Sequence, residues 1–142
     1  TLIGNADTDI GVLLREGTGA TLSNSVIAGF GDACLVLDNE ATFQNSCDAE
    51  GSLLNLSNVV LNCETAIQEP EDFTPACTAE SIFTRGTGNV TTEEVILDNY
   101  LPVEGSVLLG AEGTVSGEWF DSVDFIGAVG AEDWTEGWTV GL

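Results

Sequence analysis

The sequence predicts an all-β chain made of parallel β-helix rungs followed by a Trp-rich β C-terminal cap. Three observations carry this: a segment that repeats from Asp9 onto Asp32, apolar residues alternating with period two inside it, and Trp119, Trp134 and Trp138 gathered near the C-terminus. The 142 residues are 43% hydrophobic, enough to bury one core. The expected organisation is rungs over residues 1–69, a cysteine-pinned loop over 70–92 and a β cap over 93–142.

The repeat is the strongest signal. "DTDIGVLLREGTGATLSNS" and "GDACLVLDNEATFQNS" align at a shift of 23 residues and rejoin at "ATLSNS" and "ATFQNS" after a short gap. A weaker third copy starts at Glu64 in "ETAIQEP", so Ile10, Ala33 and Thr65 correspond, as do Val12, Leu35 and Ile67; Leu14 and Leu37 meet Glu69. Alternate apolar positions place one face of each short run inward, the period of a strand. Such strands cannot bury a face singly, but stacked about 4.8 Å apart they form a column through Val12, Leu35 and Ile67. The helical period of 3.6 is absent.

Asn24, Asn45 and Asn58 mark places where strands bend, because Asn tolerates left-handed backbone geometry. They fit one stacked turn only if the extra residues of the second copy loop out, which the sequence places at "CDAEGS", residues 47–52. Hairpin turns of a β-sandwich are the alternative reading. The opening "TLIGNADTDIGVLL" already reads as the interior of a repeat. A mature product or a C-terminal fragment is therefore expected, with an N-terminal remainder of the same β-helix protein as its stacking partner.

"DIGVLLREGTGATLSNSVIAGFGDACLVLDN" resembles a rung of the secreted right-handed parallel β-helix proteins, the superfold of pectate-lyase-like enzymes, adhesins and bacterial surface proteins. "VDFIGAVGAEDWTEGWTVGL" is similar to the C-terminal ends of large bacterial extracellular proteins of this type. The resemblance implies a right-handed coil and an extracellular or bacterial cell-surface location. It implies no single activity, since the superfold serves many.

From Gln68 to Thr92 the pattern breaks, with prolines at 70 and 75, and reads as a loop held by Cys77. Strand-like runs return at Val95–Leu97, Val107–Leu109, Val123–Ala128 and Thr139–Val140. An open solenoid end needs covering, and Trp119, Trp134, Trp138, Phe120 and Phe125 suit a hydrophobic plug. The competing reading stacks Trp134 and Trp138 on sugar rings, with Asp133 and Glu136 bonding hydroxyls; a strand over 134–138 would put both rings on one side, unless Gly137 bends it.

Cys34, Cys47, Cys63 and Cys77 lack the close pairs of a zinc site and the chain has no His, so disulfides are expected, or else reduced core thiols. Of three pairings, joining neighbours as Cys34–Cys47 and Cys63–Cys77 closes the shortest loops.

Twenty-four acidic residues against Arg15 and Arg85 give a net charge of −22, which repels nucleic acid and anionic lipid. No run approaches the roughly 18 apolar residues of a membrane span. Without His, no Ser-His-Asp or Cys-His catalysis can be built. The resemblance to pectate-lyase-like enzymes implies a basic residue as proton acceptor for any lyase activity, and here only Arg15 or Arg85 could serve. Acid pairs for glycoside hydrolysis (Asp7 and Asp9, Glu93 and Glu94, Asp121 and Asp124, Glu132 and Asp133) arise from composition alone. Asp9, Asp32 and Glu64 open successive repeats, and with Asp7 they are the candidate calcium ligands, since stacked carboxylates repel unless a cation joins them. No cofactor other than calcium is indicated. Two sequons, at Asn55 and Asn89, would matter in a eukaryotic secretory pathway and read as chance in a bacterial surface protein.

The function expected from sequence is a non-catalytic structural module that caps an extracellular β-helix. A carbohydrate-binding or adhesion module, with a polysaccharide or another surface protein as partner, is the alternative. A polysaccharide lyase or glycoside hydrolase fragment comes third.

Overall fold

Two parallel sheets face each other across a core built from the repeats. The computed structural model describes residues 1–111, 115 and 117–139. One sheet contains β2 (Ile10–Leu14), β4 (Ala33–Leu37) and β6 (Ile67–Gln68), in that order. The other contains β1 (Leu2–Ile3), β3 (Ala20–Ala28), β5 (Leu54–Asn62) and β7 (Val90–Thr91). Val12 pairs with Leu35 and Leu35 with Ile67, so the column expected from the repeat is present.

The architecture as a whole corrects the expected fold class. It is mostly β with mixed sheets: short strands fall into small sheets, two short helices interrupt them, and no closed solenoid forms among the described residues. An antiparallel pair, β8 (Leu97–Asp98) and β9 (Leu101–Pro102), makes a third sheet. Beyond it, the strand expected near Val107–Leu109 and Val123–Ala128 shrinks to one antiparallel bridge between Leu109 and Phe125. Thr139 is not in a strand, and Val140 lies outside the described residues.

The helices explain where the repeat fails. "ATLSNS" at residues 20–25 lies in β3, whereas its sequence counterpart "ATFQNS" at 41–46 enters α1 (Glu40–Gln44). Asn39 caps α1: its Oδ1 accepts the Thr42 N–H at 3.3 Å and the Thr42 hydroxyl at 3.2 Å. Glu40 occupies the first turn, where a carboxylate is favoured, and Gln44 donates back to it at 2.9 Å. Phe43 then points into the core and is buried. The true layer partner of β3 is β5, with Ala20 opposite Leu54 and Ser23 opposite Ser57. The inserted residues 47–52 form turns, as expected.

The segment 70–92 is likewise more than a loop. Thr78 caps α2 (Ala79–Thr84) through its hydroxyl, which accepts the Ser81 N–H at 3.0 Å, and Ile82 and Phe83 are buried. Phe73 packs edge-on against Phe43, ring centroids 5.6 Å apart.

The disulfides are Cys34–Cys63 and Cys47–Cys77, correcting the neighbour pairing. Each joins residues brought together by layering rather than by proximity in sequence. Cys34 lies in β4 and Cys63 directly follows β5, so this bridge ties the two facing sheets. Cys47 follows α1 and Cys77 precedes α2. With separations of 29 and 30 residues, each removes loop entropy from the unfolded chain worth about 3–4 kcal/mol.

Leu35 and Leu37 meet Ile27, Leu56, Val59 and Leu61 between the sheets, with Phe43 and Phe83 closing the core. The opposite face of β3 and β5 presents Val26, Ala28 and Val60, and these are covered by Ile96, Leu108 and Ile126 of the C-terminal segment. Both faces of the "VIA" and "VVL" runs are therefore buried, and each fully buried aliphatic side chain contributes about 1.5–3 kcal/mol.

Candidate aromatic binding site

The plug assigned to the tryptophans is corrected by their exposure. Trp119, Phe120, Trp134 and Trp138 are 94%, 59%, 63% and 84% exposed. Aliphatic Ile96, Leu108 and Ile126 cover a sheet face in their place, held there by backbone bonds. The Ile126 N–H donates to the Leu108 carbonyl at 2.8 Å, and the Gly127 N–H to the Asn24 carbonyl at 3.2 Å.

The exposed rings are not scattered. Trp119, Phe120, Phe125 and Trp134 line one groove of about 440 Å³, together with Asn24 and Asp121. Trp134 is oriented by its indole N–H, which donates to the Ala128 carbonyl at 2.8 Å. Asn24 belongs to β3, and its Oδ1 is buried, with no hydrogen-bond partner among the described residues. The groove thus sets aromatic faces beside the Asp121 carboxylate, on a wall that Asn24 anchors to the parallel sheet.

Of the predicted sugar contacts, only Trp134 lines this groove. Residues 134–138 form turns rather than a strand, with Gly137 at φ 79°, so the condition for Trp138 to share a side with Trp134 is not met. Asp133 is engaged internally. Its carboxylate accepts the Thr135 hydroxyl at 2.6 Å, the Thr135 N–H at 2.9 Å and the Tyr100 hydroxyl at 2.8 Å. These donors, Thr135 foremost and then Tyr100, hold the Asp133 carboxyl below the usual carboxylate range. Donation to Asp133 in turn pushes the Tyr100 hydroxyl up. Glu136 is exposed in the turn and does not line the groove. Trp138, Asp133 and Glu136 do not line the groove, whereas Trp119, Phe120 and Asp121 do. Their signal in the sequence was "EWFD" at 118–121, two adjacent aromatics between acids.

The candidate calcium ligands do not converge. Asp9 and Asp32 do occupy adjacent layers, the Asp32 N–H donating to the Asp9 carbonyl at 2.8 Å, and Glu64 precedes β6. Yet Asp7, Asp9, Asp32 and Glu64 are all exposed, and among the described residues no group of three or more His, Cys, Asp or Glu side chains is placed to hold a metal ion. At exposed positions carboxylates separate into water at little cost, which relieves their repulsion without a cation.

A larger cleft of about 680 Å³ between β6 and α2 is lined by Glu64, Glu69 and Glu80. Glu69 there accepts the backbone N–H of Ala79 at the start of α2, so it serves the helix. Arg85 donates to the carbonyls of Ser46 at 2.6 Å and Cys47 at 3.4 Å and to the Ser52 hydroxyl at 3.0 Å, clamping the 47–52 loop to the end of α2. Arg15 stands exposed after β2, outside both the groove and the cleft.

Among the described residues no helix is long and apolar enough to cross a membrane. Comparison of the chain with protein-family models, with curated proteins and with solved structures finds no match, and nothing in them identifies a pectate-lyase-like β-helix protein.

Proposed function

We propose that this chain is a non-catalytic, extracellular carbohydrate-binding module that holds neutral polysaccharide on the groove of Trp119, Phe120, Phe125 and Trp134. The exposure of Trp119, Phe120 and Trp134 around one groove carries the reading. Large rings left in water cost the fold apolar burial, and each can bury on the order of 150–250 Å² against a ligand. Pyranose rings offer matching C–H faces, while their hydroxyls complement the Asp121 carboxylate at the groove.

Charge narrows the ligand class. With a net charge of −22 and neither Arg15 nor Arg85 lining the groove, uronates and sulfated sugars meet repulsion. The extracellular location is supported by the two disulfides, which persist in an oxidising compartment. The non-catalytic assignment draws on the two arginines: Arg85 is committed to the 47–52 loop, and Arg15 is remote from the groove.

The test is retention on neutral and acidic polysaccharides, with calcium or with chelator, scored together with newly formed chain ends. Retention on neutral polymers alone, indifferent to chelator and without new ends, is the expected result. New chain ends would make the protein an enzyme, and preference for acidic polymers would remove the charge argument.

A further inference from the structure

The two sequons occupy opposite environments. Asn89, in "NVT", spends its whole amide on the fold: Oδ1 accepts the Val59 N–H at 2.9 Å, and Nδ2 donates to the Leu56 carbonyl at 3.0 Å and the Phe83 carbonyl at 2.7 Å. A glycosylated amide keeps one N–H, so a sugar there breaks at least one of these bonds and must displace packed backbone. Asn55, in "NLS", lies in β5 opposite Thr21, between buried Leu54 and Leu56, with its own side chain exposed and free of hydrogen bonds among the described residues. Leu53 beside it is 53% exposed, an apolar surface that a bulky substituent would shield.

We infer that Asn55 is an N-glycosylation site of this protein and that Asn89 is not. The donor class is an oligosaccharide carried on a polyprenyl diphosphate. Asn55 Nδ2 forms a bond to the anomeric carbon, the bond from that carbon to the diphosphate oxygen breaks, and the amide loses one proton as the polyprenyl diphosphate leaves. No redox partner is needed. The disulfides place the folded chain in the kind of compartment in which such transfer occurs. The inference does not depend on the aromatic groove.

Peptide mass spectrometry of the protein as secreted by its native cell tests it, alongside chains carrying Asn55→Gln or Asn89→Gln. The expected result is a glycan on the Asn55 peptide, complete loss of that added mass in Asn55→Gln with folding retained, and an unmodified Asn89 peptide. Secreted, folded protein with bare Asn55 overturns the inference. A glycan on Asn89 in disulfide-bonded, protease-resistant protein overturns it equally, because the geometry forbids that state.

Discussion

Asn24 and Asn58 occupy equivalent positions in the adjacent parallel strands β3 and β5, both in the left-handed region at φ 50° and 48°. The pairs Ser23 with Ser57 and Ser25 with Val59 flank them, and the two serine hydroxyls lie 2.8 Å apart. Each strand bends at this shared point while keeping register. Asn tolerates that geometry far better than a β-branched residue. Asn58→Gly is expected to retain most of the stability, whereas Asn58→Val lowers it by about 1–2 kcal/mol. Urea denaturation of both variants checks the order.

Asn89 links three segments through one amide. Asn89→Ala leaves the Val59 N–H and the Leu56 and Phe83 carbonyls without it, for a loss of about 3 kcal/mol. Asn55→Ala, at an exposed position, stays within about 0.5 kcal/mol of the parent. Equal losses for the two variants would contradict the assignment of their environments.

Reduction separates layer crosslinks from neighbour loops. A non-reducing peptide map should yield Cys34 with Cys63 and Cys47 with Cys77. Replacing Cys34 and Cys63 together by Ala is expected to cost about 3–4 kcal/mol in chemical denaturation.

The aromatic groove should separate binding from folding. Trp119→Ala with Trp134→Ala is expected to abolish retention on neutral polysaccharide while shifting stability by less than about 1 kcal/mol, because the rings are mostly exposed. Ile126→Ala, in the buried layer over β3, should instead cost about 2–4 kcal/mol. A large stability loss in the Trp double variant would return those rings to a packing role.

The Tyr100–Asp133 contact sets a pH dependence at both ends. Asp133 is held below its ordinary value, so its stabilisation is present above the unfolded carboxyl pKa and is lost as pH falls through the lower folded one. Tyr100 is raised, so its share is present below the unfolded phenol pKa and disappears as pH rises through the higher folded one. In Tyr100→Phe, NMR titration should find the Asp133 carboxyl moved back up towards its ordinary value, still lowered by Thr135. An unchanged titration would exclude the hydrogen bond in solution.

The sequence by itself determined the layer register. Aligning the repeat copies from Asp9 onto Asp32 and Glu64 set Val12, Leu35 and Ile67 in one column, and the strands pair in that register. The sequence also located the left-handed bends at Asn24 and Asn58 and the looped insertion at 47–52, whereas Asn45, expected to bend likewise, ends α1 in the right-handed region at φ −80°. Only the tertiary structure decided whether "ATFQNS" would copy the strand of "ATLSNS". Five residues of helix are marginal alone, and Asn39 capping with burial of Phe43 tips the balance. Cysteine pairing was equally hidden, because layering brings Cys34 to Cys63 across 29 residues whereas spacing favours nearer partners. The tryptophans were misread for the same reason: ring size marks them as hydrophobic, but the space above Val26 and Ala28 was already filled by Ile96, Leu108 and Ile126. Periodicity records which face of a strand turns inward; which distant segment covers that face depends on shape, and shape exists only once the chain has folded.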